Sequence, residues 1–177
     1  YFPKNVLLNL KGYESLDKVI EKAKKPLNPN DFETLANVSG ALILDTRNAN
    51  DFANGFIPNS INIGIDGSFA MWVGEMISDI NQAILLVTDS GREEECMIRL
   101  SRVGYDNTIG YLEGGFESWK QAGKEIDSLK RISGEQLEVM LQAKDLPLFD
   151  VRKKSEFDSE HLLNSVNIPL NQLNAKL

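Results

Sequence analysis

The chain has 177 residues, 42% hydrophobic and 25% charged, with a formal net charge of −7. This is the profile of one folded domain with a sizeable core plus part of another, and it excludes a disordered chain. The acidic balance argues against nucleic acid and against membranes as partners, because there is no cationic surplus to release counterions.

The only cysteine, Cys96, rules out an internal disulfide and favours a reducing, cytoplasmic setting. The only histidine, His161, leaves too few soft ligands for a His/Cys metal site. The longest apolar runs, Ala41–Leu44 and Ala83–Val87, fall far short of the ~20 residues that a membrane span needs. The chain begins with Tyr1 and has no basic-then-apolar leader, so a fragment without a signal peptide is expected.

In chain order, Tyr1–Asn9 reads as an extended lead-in. Leu16, Val19, Ile20 and Ala23 give helical spacing over Tyr13–Lys25, and Pro26 and Pro29 end that helix. Asn30 is the expected N-cap of a short helix carrying Phe32, Leu35 and Ala36. Ala41–Asp45 is a wholly apolar strand of the kind covered on both faces in a parallel sheet. A short helix at Asn50–Asn54 and a strand at Ser60–Ile63 follow. A helix over Ala70–Ile80 would turn Met71, Val73, Met76, Ile77 and Ile80 inward.

Ala83–Val87 is the second buried strand, and it runs on through Thr88 into a loop. Arg92–Val103 is a helix with Met97, Ile98, Leu100 and Val103 on its apolar side. Thr108–Leu112 is a strand, and Gly115–Ala122 a helix closed by Gly123. Strands alternating with helices imply an α/β fold with a central parallel sheet. Glu125–Arg131 reads as an exposed linker. Beyond it, Ser133 and Gln136 form a capping box for a helix through Ala143, followed by strands at Leu148–Val151 and Val166–Ile168.

The chain repeats itself. Leu44-Asp45-Thr46-Arg47, Asp51-Phe52 and Asn59-Ser60-Ile61-Asn62-Ile63 return as Phe149-Asp150-Val151-Arg152, Glu156-Phe157 and Asn164-Ser165-Val166-Asn167-Ile168. The offset is a constant 105 residues, from Asp45 to Asp150 and from Asn62 to Asn167. A repeat of that size is a duplicated domain. The second copy stops at Leu177, so the chain is expected to be a piece of something larger.

Asp45-Thr46-Arg47, the stretch Gly55–Ile63, and Gly110-Tyr111-Leu112-Glu113-Gly114-Gly115 with Trp119 and Gly123 together resemble the rhodanese-like sulfurtransferase family. Phe56 stands where the family has histidine, and in the second copy His161 holds that place. The resemblance implies a three-layer α/β/α fold over residues 26–127, a lead-in over 1–25, and a truncated second copy over 128–177. It also implies a persulfide-carrying cysteine right after the central strand, in a loop whose amides cradle an anion. Here that position is best matched by Asp89, so no catalytic residue is expected. Asp89, Ser90, Gly91, Arg92, Glu93 and Glu94 are then the loop remnant, with anion binding by Arg92 and the Ser90 and Gly91 amides as one reading. Glu93–Glu95 also suit a helix N-terminus.

Other residues carry weaker signals. Cys96 and Arg102 match C-x5-R as a bare pattern, but Met97, Ile98 and Leu100 read as a helix side, which makes Cys96 a packed helix cysteine whose pKa the neighbouring glutamates raise. Asp45 and Arg47 read as a structural pair at the cleft edge. His161 reads as a loop anchor, Trp72 and Trp119 as core or cleft-wall aromatics, and Gly64–Ser68 as a loop beside the cleft.

The tandem arrangement, with the lead-in Tyr1–Val6 and Asn9–Gly12, resembles the C-terminal part of fusions that begin with a metallo-beta-lactamase-fold domain. That resemblance implies a parent of persulfide dioxygenase or hydrolase type, with iron or zinc in the missing domain and no cofactor in this part. The expected partners are the parent's own domains and a second copy of the chain. The alternatives are an active tandem sulfurtransferase whose cysteine lies downstream, and a small-anion-sensing module.

Overall fold

The computed structural model describes residues 16–143 and 146–173. The lead-in and the first turn of the first expected helix lie outside them. The chain divides into two compact units, with the boundary after Lys130.

In the first unit, α1 (Leu16–Ala23) precedes a two-residue strand, β1 (Pro26–Leu27), and α2 (Pro29–Ser39). Then come β2 (Leu42–Asp45), α3 (Ala49–Asn54), β3 (Ile61–Asn62), α4 (Phe69–Met76), β4 (Ile84–Val87), α5 (Glu93–Ser101), β5 (Thr108–Leu112) and α6 (Gly115–Gln121). The strands form one parallel sheet in the order β1-β5-β4-β2-β3.

Strand alternation builds a core on each face. Ile84 and Leu86 join Leu44, Val73, Ile77, Cys96, Met97 and Leu100 on one side. Leu85 and Val87 join Ile43, Phe32, Phe116 and Trp119 on the other. All four β4 side chains are fully buried, each stabilising the fold by about 1.5–3 kcal/mol. The α/β fold with a central parallel sheet and helices on both faces is therefore as expected.

Several local expectations need correction. The cap of α2 is Asn28, not Asn30: its Oδ1 accepts from the Asn30 and Asp31 amides, both at 3.0 Å. Pro29, lacking an N–H, fits the first helical position. Helix α4 ends at Met76, and Met71 is 55% exposed while Phe69 is buried. Trp72 is also exposed, whereas Trp119 is buried with its Nε1 donating to the Glu125 carbonyl.

The second unit comprises α7 (Gly134–Ala143), β6 (Leu148–Asp150), α8 (Lys154–Ser159), β7 (Ser165–Asn167) and a 3-10 turn at Leu170–Gln172. The Ser133–Gln136 capping box forms as expected. Strand β6 pairs with β7 in parallel, Phe149 opposite Val166, as Leu44 lies opposite Ile61 in the first unit. Leu44 is wholly buried, but its counterpart Phe149 is half exposed.

Candidate functional site

Strands β2 and β4 both end at the same edge of the sheet, where loops rather than helices meet. At the end of β2 the Asp45 carboxylate and the Arg47 guanidinium form a bidentate pair, with Arg47 Nε 3.0 and 3.1 Å from the two oxygens and Nη2 2.6 Å from Oδ2. The Arg47 amide also donates to Asp45, and Nη2 donates to the Gly55 carbonyl at 2.9 Å. The guanidinium lies 4.1 Å over the Phe116 ring. Asn62 Nδ2 donates to the carbonyls of Asp45 and Arg47 and locks the corner. This is the structural pair read from the sequence: Arg47 bridges two loops and Asp45 accepts from backbone. Burial raises the Asp45 carboxyl pKa, against the lowering effect of Arg47.

A cavity of about 410 Å³ opens beside this corner. Its walls include Arg47, Asp51, Gly55, Phe116, Glu117, Lys120 and Ile126, together with Thr88, Asp89 and Ser90 from the loop after β4. Strand β4 ends at Val87, the end expected from the sequence, where its ladder with β2 stops at the Asp45–Val87 pair. The residue right after the central strand is therefore Thr88, which is buried, while Asp89 beside it is exposed. The Thr88 hydroxyl donates to the Asp89 carbonyl at 2.7 Å. Thr88 is the residue that sequence reasoning passed over, since the position after the strand is matched there to Asp89.

The loop remnant splits. Asp89 and Ser90 line the cavity, and Gly91, Arg92, Glu93 and Glu94 do not. Arg92 is held by both oxygens of Asp66 at 2.9 Å and by Glu95 at 2.9 Å. The Gly91 amide donates to Glu93 at 3.2 Å and the Arg92 amide to the Asp89 carbonyl. Glu94 pairs with Lys24. Of the donors expected to bind an anion, the Arg92 guanidinium and the Gly91 amide are thus engaged within the protein. The cavity also carries three carboxylates, Asp51, Asp89 and Glu117. Against them, Arg47 is neutralised by Asp45, and Lys120 is shared with Glu117 at 3.2 Å. An anion there meets repulsion.

Cys96 is fully buried in α5 on the core side, with its Sγ 3.3 Å from the Thr46 hydroxyl. Burial pushes the thiol pKa up, and hydrogen bonds to Thr46 and Thr88 only partly oppose this. Glu95 adds a smaller push in the same direction. Among the described residues no group of three or more His, Cys, Asp or Glu is arranged to hold a metal ion. Among them, too, no helix is long and apolar enough to cross a membrane.

The second unit reproduces the corner bond for bond. Arg152 pairs with Asp150 through Nε and Nη2 and donates to the Glu160 carbonyl, eight residues on, as Arg47 does to Gly55. Asn167 Nδ2 donates to the carbonyls of Asp150 and Arg152. Asn59 and Asn164 share a left-handed backbone at φ 63° and 66°. Phe52 stacks on Phe56, and Phe157 stacks on His161. His161 is exposed and its Nδ1 meets the Phe157 carbonyl, as a loop anchor would.

The rhodanese-like domain family model matches residues 28–122 and again 133–177. The chain belongs to the rhodanese-like family. A curated relative, the uncharacterized protein BU052 of Buchnera aphidicola, is 30% identical over 94 residues, 51% of this chain and 65% of that protein. The match thus spans just under two thirds of the relative's length. Among solved structures, the rhodanese-like domain of the Alr3790 protein from Anabaena sp. superposes with a TM-score of 0.52 at 14% identity, covering 63% of this chain and 86% of that one. The BH2092 protein of Bacillus halodurans gives 0.51 at 14% identity, covering 70% and 95%. These likenesses show a shared rhodanese-like fold.

Proposed function

We propose that the first unit is a non-catalytic rhodanese-like module. Carrying a sulfane sulfur requires a thiolate to form the new S–S bond. Thr88 and Asp89 occupy the wall right after the central strand, and neither a hydroxyl nor a carboxylate forms that bond. That observation carries the reading. It is supported by Cys96, which packs in the core with a raised pKa, and by the Gly91 and Arg92 amides, already engaged by Glu93 and Asp89. The same engaged donors disfavour the anion-sensing alternative. The test is thiosulfate-to-cyanide sulfur transfer by the 177-residue chain. The expected result is no turnover above blank; turnover that Asp89→Ala or Thr88→Ala abolishes would overturn the reading.

The parent we propose is a multidomain metallo-beta-lactamase-fold protein of sulfur metabolism, of persulfide dioxygenase or hydrolase type. In it this module would act as a spacer, docking surface or dimerisation element. The support is the tandem arrangement together with the lead-in sequence. The iron or zinc belongs to the metallohydrolase domain, and the described residues offer it no site. Metal content and oxygen uptake on adding glutathione persulfide to the full-length protein test this; no metal and no uptake would move the parent to a plain tandem rhodanese. The alternative is an active tandem sulfurtransferase whose cysteine lies downstream, about 105 residues beyond Asp89 by the repeat offset.

A further inference from the structure

The segment Glu125–Arg131 reads in the sequence as an exposed linker, and its side chains are indeed exposed. Its backbone is nevertheless tied down. Lys124 Nζ reaches Glu33 at 2.6 Å, and the Glu125 carbonyl accepts from Trp119 Nε1 at 2.8 Å. Asp127 and Phe56 exchange both backbone hydrogen bonds at 2.9 Å as an isolated antiparallel bridge, and the Leu129 amide donates to the Ala53 carbonyl at 2.8 Å. Ordering an irregular surface segment carries an entropy cost that a bare tether does not meet.

Between these anchors Ile126, an apolar side chain 46% exposed, forms part of the wall of the Thr88–Asp89 cavity. The remaining walls come from helices α3 and α6 and from the loops that follow β2, β4 and β5. The strap has no helix or strand of its own and hangs on one isolated bridge, one further backbone bond and two part-buried side-chain bonds, and so has the lower local stability of elements that open. The second unit begins at Arg131, with one residue, Lys130, between them.

We propose that residues 124–129 are a strap that restricts access to the Thr88–Asp89 cavity, and that displacing the chain at Arg131 releases it. The strap thereby links what the second unit is bound to with what can reach the first unit's cavity. Access is a separate matter from sulfur chemistry, so the test below stands apart from the reading of the module as non-catalytic.

The test uses the full 177-residue chain carrying Cys96→Ala and Thr88→Cys, with the unique thiol labelled by the neutral reagent N-ethylmaleimide. Asp127→Pro removes the N–H that bonds to Phe56 and should raise the labelling rate about tenfold, the equivalent of one lost backbone bond. Ile126→Gly should raise it without touching an anchor, and Ile126→Trp should lower it. Trp119 emission in a Trp72→Phe background reports strap release through its bond to Glu125. Unchanged labelling in Asp127→Pro while Trp119 reports release, or unchanged labelling in Ile126→Gly, overturns the proposal. If Asp127→Pro fails to fold, Ile126→Gly decides alone, and Ser90→Cys replaces Thr88→Cys if that variant is the one that fails.

Discussion

Arg47 and Arg152 make the same hydrogen bonds in different surroundings, and that contrast separates geometry from energy. The Asp45 and Arg47 side chains are 0% and 9% exposed, against 13% and 47% for Asp150 and Arg152. Removing one partner of a buried pair leaves an uncompensated charge, so Asp45→Ala should lower stability by about 3–5 kcal/mol. Asp150→Ala should leave the main urea transition unmoved, because solvent takes the partner's place. Equal shifts in the two urea midpoints would contradict this account. Cys96 gives a second prediction. Its burial and raised pKa should keep it from reacting with thiol reagents in the native state, so that labelling keeps pace with unfolding as urea is added. Fast labelling in native buffer would show the thiol to be reachable. The paired acid and base at the corner are legible in the sequence because they recur at a fixed offset. Thr88 is not, because its burial and its place on the cavity wall come from contacts across the fold and leave no local mark.

The elements divide by whether their cause is local. Strands β2, β4 and β5 are legible as dense aliphatic runs, and the helices that cover them as 3.6-residue patterns. Strand β1 is not, because two residues including a proline have no period. The strap is not, because its bonds are backbone contacts made across the fold. The turn before α6 shows how tight such contacts become. Gly115 has φ +60°, and a Cβ there would sit 2.8 Å from the Thr88 carbonyl, whereas Gly123, at φ +67°, has open space. Gly123→Ala should therefore cost about 1–2 kcal/mol, the left-handed penalty alone. Gly115→Ala should cost about 2–5 kcal/mol, with overpacking against the cavity loop added. Equal thermal shifts would mean that the loop yields freely. The clamp of Asp66 and Glu95 on Arg92 joins the Gly64–Ser68 loop to α5. Hydrogen bonding to Arg92 holds both carboxyls below their usual range. Their stabilisation is thus fully present above about pH 4, the unfolded carboxylate range, and is lost as pH falls through the lower folded values. Carbon-13 titration should place each midpoint below that of an ordinary aspartate or glutamate, and Arg92→Ala should return both toward the ordinary range.

For the whole molecule, the duplicated corner is reproduced down to individual hydrogen bonds, yet the two units differ in what closes over it. In the first, the wholly apolar β4 fills the edge of β2, and two cores form, one on each face. In the second, α7 has no buried residue, and Val139, Phe149, Leu163 and Val166 are 66%, 50%, 87% and 55% exposed. Local hydrogen bonds such as those of Arg152 and Asn167 hold a shape but contribute only about 0.5–1.5 kcal/mol each, and apolar burial is what outweighs chain entropy. The units should therefore unfold separately. Limited proteolysis should cut within residues 131–173 first and leave a resistant piece ending near Lys130. A chain shortened to end at Lys130 should keep the main thermal transition of the 177-residue chain. A drop of more than a few degrees would show that the first unit draws stability from residues beyond it. Co-migration of the chain as a dimer, with residues 131–173 protected, would instead support the proposed pairing with a second copy through those exposed side chains.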